Sequence, residues 1–306
     1  MTSAAHASAA SVTELPLDVD WTSAGSQALH RYFVVDVFTT VPLEGNQLGV
    51  FSDGRPFSAE QMQRLAREMN FAETIFLLPP EQGGAARIRI FTPANELPFA
   101  GHPVLGSAFV VSSALGLSNV VLETGVGLVP IELQREGDRV VFGWMEQPLP
   151  SWQQWERESE LLAALGVERF GLPVEAYRNG PLHVYVELAS EEAVAALEPD
   201  LAALAALPAA TVNCYAGARR RWKTRMFAPA YGVHEDPATG SAAGPLAVHL
   251  ARHGRISFGD EIEIRQGAEI RRPSLLYARA DGSPDRVERV AVGGSAVIVA
   301  RGEFRL

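Results

Sequence analysis

Alternating apolar and polar positions dominate the chain, interrupted by a few stretches with helical spacing. Tyr32–Phe38 and Gln47–Phe51 are rich in β-branched and aromatic residues and flank the turn Pro42–Asn46, which predicts a strand pair. Ser58-Ala-Glu-Gln61 is a capping box, and Met62, Leu65, Ala66 and Met69 follow at helical spacing. An amphipathic helix is therefore expected over residues 59–69. Strands are expected at Glu73–Leu78 and Arg87–Phe91, then near 119–123, 128–134 and 139–145. Between these strands, residues 104–115 are apolar on nearly every side, with Pro103 suited to the first helical position and Gly116 to the end. Such a helix is normally buried all round.

Gln147-Pro-Leu-Pro-Ser151 reads as a domain boundary, and the order then recurs. A helix is expected near 157–165, a strand at His183–Leu188, helical pieces within 190–206, and strands at 209–215 and 223–227. A second apolar helix should run from Gly240 to Gly254, followed by strands to Leu306. Consecutive strands argue for an α+β fold rather than a doubly wound sheet. Each half is expected to be a curved, mostly antiparallel sheet around one buried helix. The expected domains are 29–147 and 148–293, with a strand at about 294–306 returning to the first.

The halves share a motif. Arg89-Ile-Phe-Thr-Pro-Ala94 and Arg225-Met-Phe-Ala-Pro-Ala230 match as Arg-x-Phe-x-Pro-Ala, and each leads into a glycine turn that launches a helix. A helix start offers unpaired N–H groups and partial positive charge. Two such starts aimed at one cleft make a site for a small carboxylate.

Composition narrows the function. The 306 residues carry a formal net charge of −10, which argues against a nucleic-acid binder. The basic run Arg219-Arg-Arg-Trp-Lys223 reads as the solvated face of an edge strand or a subunit contact. The single cysteine, Cys214, excludes both a disulfide framework and a thiol-pair racemase, and its apolar surroundings suit a buried small hydrophobe. Residues 1–28 contain no Lys or Arg and no unbroken apolar run, so they are expected to form a disordered or loosely attached extension rather than a secretory signal. With no apolar stretch of membrane-spanning length, the cytoplasm is the default location.

Several residues could carry chemistry. Glu73 is the only charge in Phe71–Leu78. Desolvation would raise its pKa and make it a general base; alternatively it faces solvent or pairs with an arginine. His102, between Gly101 and Pro103, is expected to be held neutral by the positive helix end, or to serve merely as a cap. Asp236 and Ser241 flank Pro-Ala-Thr-Gly240 and could be catalytic or simply cap the second helix. His249 and His253 have metal-ligand spacing, but no third ligand is evident and an ordinary surface pair is expected.

Long ordered motifs then carry a resemblance. Asp36-Val-Phe38, Glu44-Gly-Asn46, Ala66–Thr74, Phe91–Pro103 and Glu235–Gly244 resemble the PhzF family, and Asn179–Tyr185, Val212–Ala218 and Arg271–Leu275 extend the likeness over about residues 30–306. The resemblance implies the diaminopimelate-epimerase-like fold, with two pseudo-symmetric domains, and a homodimer. It also implies the cofactor-free and metal-free isomerisation of trans-2,3-dihydro-3-hydroxyanthranilate to its ketone tautomer, upstream of further phenazine-pathway enzymes. In the family a glutamate moves a proton from C3 to C1, and Glu73 matches it. His102, Asp236 and Ser241 match the other polar residues around the ring, and Gly101, Gly240, Ala72 and Asn46 match positions near the substrate. Two departures stand out: Ala72 where the phenazine enzymes often have Ser, and Gln47 where Pro is usual. Two other readings remain open: an isomerase or epimerase for another small carboxylate, and a non-catalytic anion clamp.

Overall fold

The computed structural model describes residues 28–168 and 170–306, so the reading of residues 1–28 as a loose extension lies, but for its last residue, outside the described residues. Its strands form one continuous sheet that is traversed twice in the same pattern. In the first half, Leu29–Val37 pairs antiparallel with Asn46–Phe51, which runs parallel to Glu73–Leu78. That strand pairs antiparallel with Ala86–Phe91, which runs parallel to Asn119–Thr124. Strands Gly127–Glu136 and Arg139–Glu146 follow as an antiparallel meander. The second half repeats each step with Glu175–Arg178, Leu182–Glu187, Thr211–Ala218, Arg221–Ala228, Glu261–Gln266, Ser274–Ser283 and Arg286–Gly294. The two meanders join where Arg139–Glu146 pairs with Arg286–Gly294. This is the α+β, pseudo-symmetric architecture, with a buried helix in each half: Gly101–Leu115 and Gly240–Arg252.

The last strand, Ala296–Arg305, pairs with Leu29–Val37 of the first half. Its counterpart, Ser151–Gln154, pairs with Glu175–Arg178 of the second. We therefore propose domains of 29–147 and 148–293, with the final strand belonging to the first.

The amphipathic helix Ala59–Met69 carries the expected reciprocal cap, Ser58 side chain to Gln61 N–H and Gln61 side chain to Ser58 N–H. The first central helix begins two residues before the expected start, so Pro103 is its third residue. The first-turn N–H groups have no intrahelical partner, so proline costs nothing there. Strands Ser151–Gln154 and Glu175–Arg178 were not anticipated; they are four residues long, too short for a period to show. The basic run is not on an edge strand. Arg219 and Arg220 form a tight turn with Arg219 at φ 56°, and Arg221–Ala228 lies between two neighbouring strands. Lys223 is paired with Glu269 at 2.6 Å. Cys214 is fully buried, and burial pushes its thiol up to about 12.

The repeated arginines have a structural reason. Arg89 grips Glu96 with two hydrogen bonds of 2.7 and 2.6 Å, and Arg225 grips Glu235 at 2.9 and 2.8 Å. Each guanidinium also lies over the phenylalanine of its own motif, Phe91 or Phe227. Each pair thus closes the hairpin that leads to its glycine turn.

A third arginine ties the halves together. Arg272 donates to Asp36 at 2.7 Å and to the carbonyls of Leu43, Glu44 and Gly45, while Asp36 also accepts from the Leu43 N–H. The turn that presents Asn46 is therefore held from the other half.

The two central helices meet at their N-termini. A Cβ on Gly101 would fall 2.3 Å from the Ser241 nitrogen and 2.5 Å from the Gly240 carbonyl carbon. Only glycine permits this approach, and backbone cannot swing aside as a side chain can. Gly101→Ala is expected to cost roughly 1–3 kcal/mol or more by overpacking, seen as a fall in Tm. In an unobstructed helix the same exchange stabilises, so an unchanged or raised Tm would show that the two turns are not in contact.

Candidate active site

A cleft of about 240 Å³, of single-ring size, opens where the two helix starts meet. Ala72, Glu73, Gly101, His102, Asp236, Gly240 and Ser241 all line it. Neither helix has a side-chain cap at its first turn: the residues before them are Ala100 and Thr239, and neither makes a capping bond. Ser241 and Asp236 therefore do not cap the second helix. The glycine turns at both helix starts, Gly101 and Gly240–Ser241, thus face the cleft without a side-chain cap, where an anion would meet them.

Glu73 sits at the first residue of its strand, with its side chain 15% exposed. Burial, with the nearby Asp236 charge as a lesser cause, pushes its carboxyl up to about 8. Its Oε2 is buried without a hydrogen-bond partner. His102 Nε2 lies 3.2 Å away, but the two are not aligned for a hydrogen bond, and Nε2 is also unpartnered. Burial pushes the His102 ring down to about 3, opposed by a hydrogen bond to the Gln47 main chain. The ring is neutral as expected, but desolvation rather than the helix end is the chief cause. Because the Gln47 contact is to main chain, it does not depend on which side chain stands at that position.

Asp236 is buried but well partnered. It accepts from the Asn46 amide at 2.9 Å and from the Thr239 hydroxyl at 2.6 Å. Burial raises it to about 6 against these two bonds, so it is an anion at neutral pH while Glu73 is mostly protonated. Asn46 does not line the cleft. It stands behind the wall, donating to Asp236 and to the Ala238 carbonyl, with its amide nitrogen 3.2 Å from His102 Nδ1. It positions both side chains. Gln266 braces the same turn from below, donating to the Asp236 carbonyl and the Thr239 hydroxyl. Asn179 holds the Ser241 carbonyl at 2.9 Å, and Gln147 holds that of Gly240 at 2.8 Å.

Sequence reasoning missed His183 and Thr211, which line the cleft from adjacent strands of the second half. Their signal was the repeat itself. Leu48 faces Glu73 across a parallel pair, and His183 faces Thr211 across the equivalent pair, so Thr211 occupies the place that Glu73 holds in the first half.

The His249–His253 pair is not at the surface: His249 is fully buried. A single oxygen of Glu175 meets His249 at 3.2 Å, His253 at 3.1 Å, Tyr177 at 2.7 Å and Arg252 at 2.9 Å. Glu175, His249 and His253 have metal-binding spacing, but the Arg252 guanidinium already supplies positive charge to that oxygen. The second central helix is packed on all sides up to this turn, which leaves no open face for the pair.

The α+β fold, with two like halves meeting at paired helix starts, is of the diaminopimelate-epimerase-like class. Residues 35–302 match the family described as phenazine biosynthesis-like protein, PhzC-PhzF, and the chain belongs to that family. It is 54% identical over 278 residues to a trans-2,3-dihydro-3-hydroxyanthranilate isomerase of Pseudomonas aeruginosa, covering 91% of this chain and all of the relative. A PhzF-family phenazine biosynthesis protein from Bacillus anthracis superposes with a TM-score of 0.79 at 24% identity, over 91% of this chain and 100% of that one. A hydroxyproline epimerase of Agrobacterium vitis shares the fold at a TM-score of 0.62 and 16% identity, over 90% and 91% of the two chains. Among the described residues, no helix is long and apolar enough to cross a membrane.

The desolvation of Glu73 has a cost that can be measured. Its carboxyl titrates near 4.5 when solvated and near 8 in the fold. Below the lower value both states are neutral and the fold bears no penalty; as pH rises, the unfolded state ionises first and stability falls until about 8. Glu73→Gln removes this penalty. The variant is expected to gain little at about pH 5 and a few kcal/mol, ~1.4 per pKa unit, at about pH 9. Thermal denaturation at both pH values checks this, and equal Tm differences would mean that the carboxyl is solvated.

Proposed function

We propose that the protein isomerises trans-2,3-dihydro-3-hydroxyanthranilate to its ketone tautomer, with Glu73 carrying the proton. The observation that supports this most directly is Glu73 itself: a buried carboxyl raised to about 8, with an unpartnered oxygen on the cleft wall. The likeness to the Pseudomonas aeruginosa isomerase supports the substrate.

In this reading the substrate carboxylate lies against the N–H groups of Gly101, Gly240 and Ser241, and its amine faces the Asp236 anion. The ionised fraction of Glu73 takes the C3 proton. The bonding pair shifts through the diene, and the same carboxyl returns the proton at C1, giving an enol that relaxes to the ketone. No electrons are gained or lost, so the step requires neither a redox cofactor nor a second base. His102, neutral and 3.2 Å from Glu73, stabilises charge as it develops without competing for the proton. Family likeness also supports a cytoplasmic homodimer that passes its product to later phenazine-pathway enzymes.

The second reading, an isomerase for another small carboxylate, is favoured by Ala72 alone, which leaves no hydroxyl beside the base. The anion clamp is disfavoured, because a binding site for an anion gains nothing from a desolvated carboxyl.

An ultraviolet time course with trans-2,3-dihydro-3-hydroxyanthranilate tests the proposal. Wild type is expected to consume the diene absorbance. Glu73→Gln should lose at least ~10²-fold in turnover while keeping ligand affinity. No change with folded wild type would direct the search to other carboxylates. For wild type, kcat/KM is expected to climb with pH and level off above about 8, as Glu73 becomes a carboxylate. A flat profile across that range would remove Glu73 from the role of base.

A further inference from the structure

His183 is a polar residue of the cleft wall that the proposed proton path leaves unused. It is fully buried. Nδ1 lies 2.6 Å from the Thr211 hydroxyl, whereas Nε2 is buried with no partner. A buried nitrogen left unpaired is costly unless a ligand completes it.

The Thr211 hydroxyl, which also lies 3.4 Å from the Leu182 carbonyl and accepts from Asn213 at 3.2 Å, engages only Nδ1 of the ring. Whichever ring nitrogen carries the proton, Nε2 is the atom left in need of a partner.

We propose that His183 is a substrate-contacting specificity residue, its Nε2 hydrogen-bonded to the ring hydroxyl of a 2-amino-3-hydroxy carboxylate. The inference rests on the isomerase reading above. Such a substrate has three polar groups. The carboxylate is taken by the helix starts and the ammonium by the Asp236 anion, so the hydroxyl, which can donate or accept, is the group that remains. The repeat supplies the geometry. Glu73 and Thr211 hold equivalent places in the two halves, so His183 stands on the wall contributed by the other half. A tetrahedral C3 between the walls presents its hydrogen to Glu73 and its oxygen to His183. One half thus supplies the base, and the other reads the substituent that the base must not touch.

The test compares the dissociation constants of 3-hydroxyanthranilate and anthranilate by calorimetry. The two probes differ only in the hydroxyl. Wild type is expected to prefer 3-hydroxyanthranilate by about five- to tenfold, and His183→Phe to lose that preference while binding anthranilate as wild type does. Equal weakening of both probes would make His183 a prop for the wall and overturn the proposal. Should the phenylalanine variant not fold, His183→Gln keeps a donor and an acceptor at similar reach and should retain the preference; its loss there would also overturn the proposal. Wild type that binds neither aromatic acid would instead defeat the isomerase reading, and this inference with it.

Discussion

Everything at the site depends on two helices meeting end to end through glycine. With a Cβ on Gly101 only 2.3 Å from the Ser241 nitrogen, no other residue allows the two starts to share a cleft. That contact gathers unpaired N–H groups from both halves at one point and leaves no room for water between them. The same closure strips solvent from Glu73, His102 and Asp236. Their altered acidities are thus consequences of one packing event, not three separate adjustments. Asp236 alone stays charged, because Asn46 and Thr239 replace the water it lost. Glu73 has no such replacement and holds its proton to about 8.

The two halves are alike in fold and unlike in chemistry. Equivalent positions carry Glu73 in one and Thr211 in the other, and beside them stand Leu48 and His183. A site symmetric in both backbone and side chains would suit inversion at one carbon, with a base on each face. Here the symmetry survives only in the main chain. One wall holds Glu73, and the equivalent place on the other holds Thr211, which has no carboxyl to move a proton. That division suits relocation of a proton along one face of a ring.

Much of this was legible in the sequence because it is local. The capping box at Ser58, Gly116 at a helix end, and the apolar central helices each follow from spacing within one turn or one element. Glu73 stood out because a lone charge in an apolar run has few outcomes. What was hidden depends on partners distant in sequence. Nothing near Asn46 announces that its amide reaches Asp236, 190 residues on. The basic run at 219–223 read as an edge because its second neighbour, Glu261–Gln266, lies well beyond it in sequence. His249 looked superficial because the residues that bury it lie on three other strands. His183 was missed because a histidine in a strand looks ordinary until the repeat places it beside Thr211, the counterpart of Glu73.

The Arg272 clasp bears on how the chain acquires its activity. Its contacts reach back to Asp36 across 236 residues, and strand Ala296–Arg305 completes the sheet beside Leu29–Val37. The first half therefore cannot finish its own sheet, or fix the turn that carries Asn46, until almost all of the described chain is available. Pairings of such long sequence separation are slow to form. During synthesis the first domain must wait, incomplete along one sheet edge, while the second is made. Competence for chemistry is then among the last properties to appear in folding, and the segment that delivers it lies far from any residue that touches the substrate.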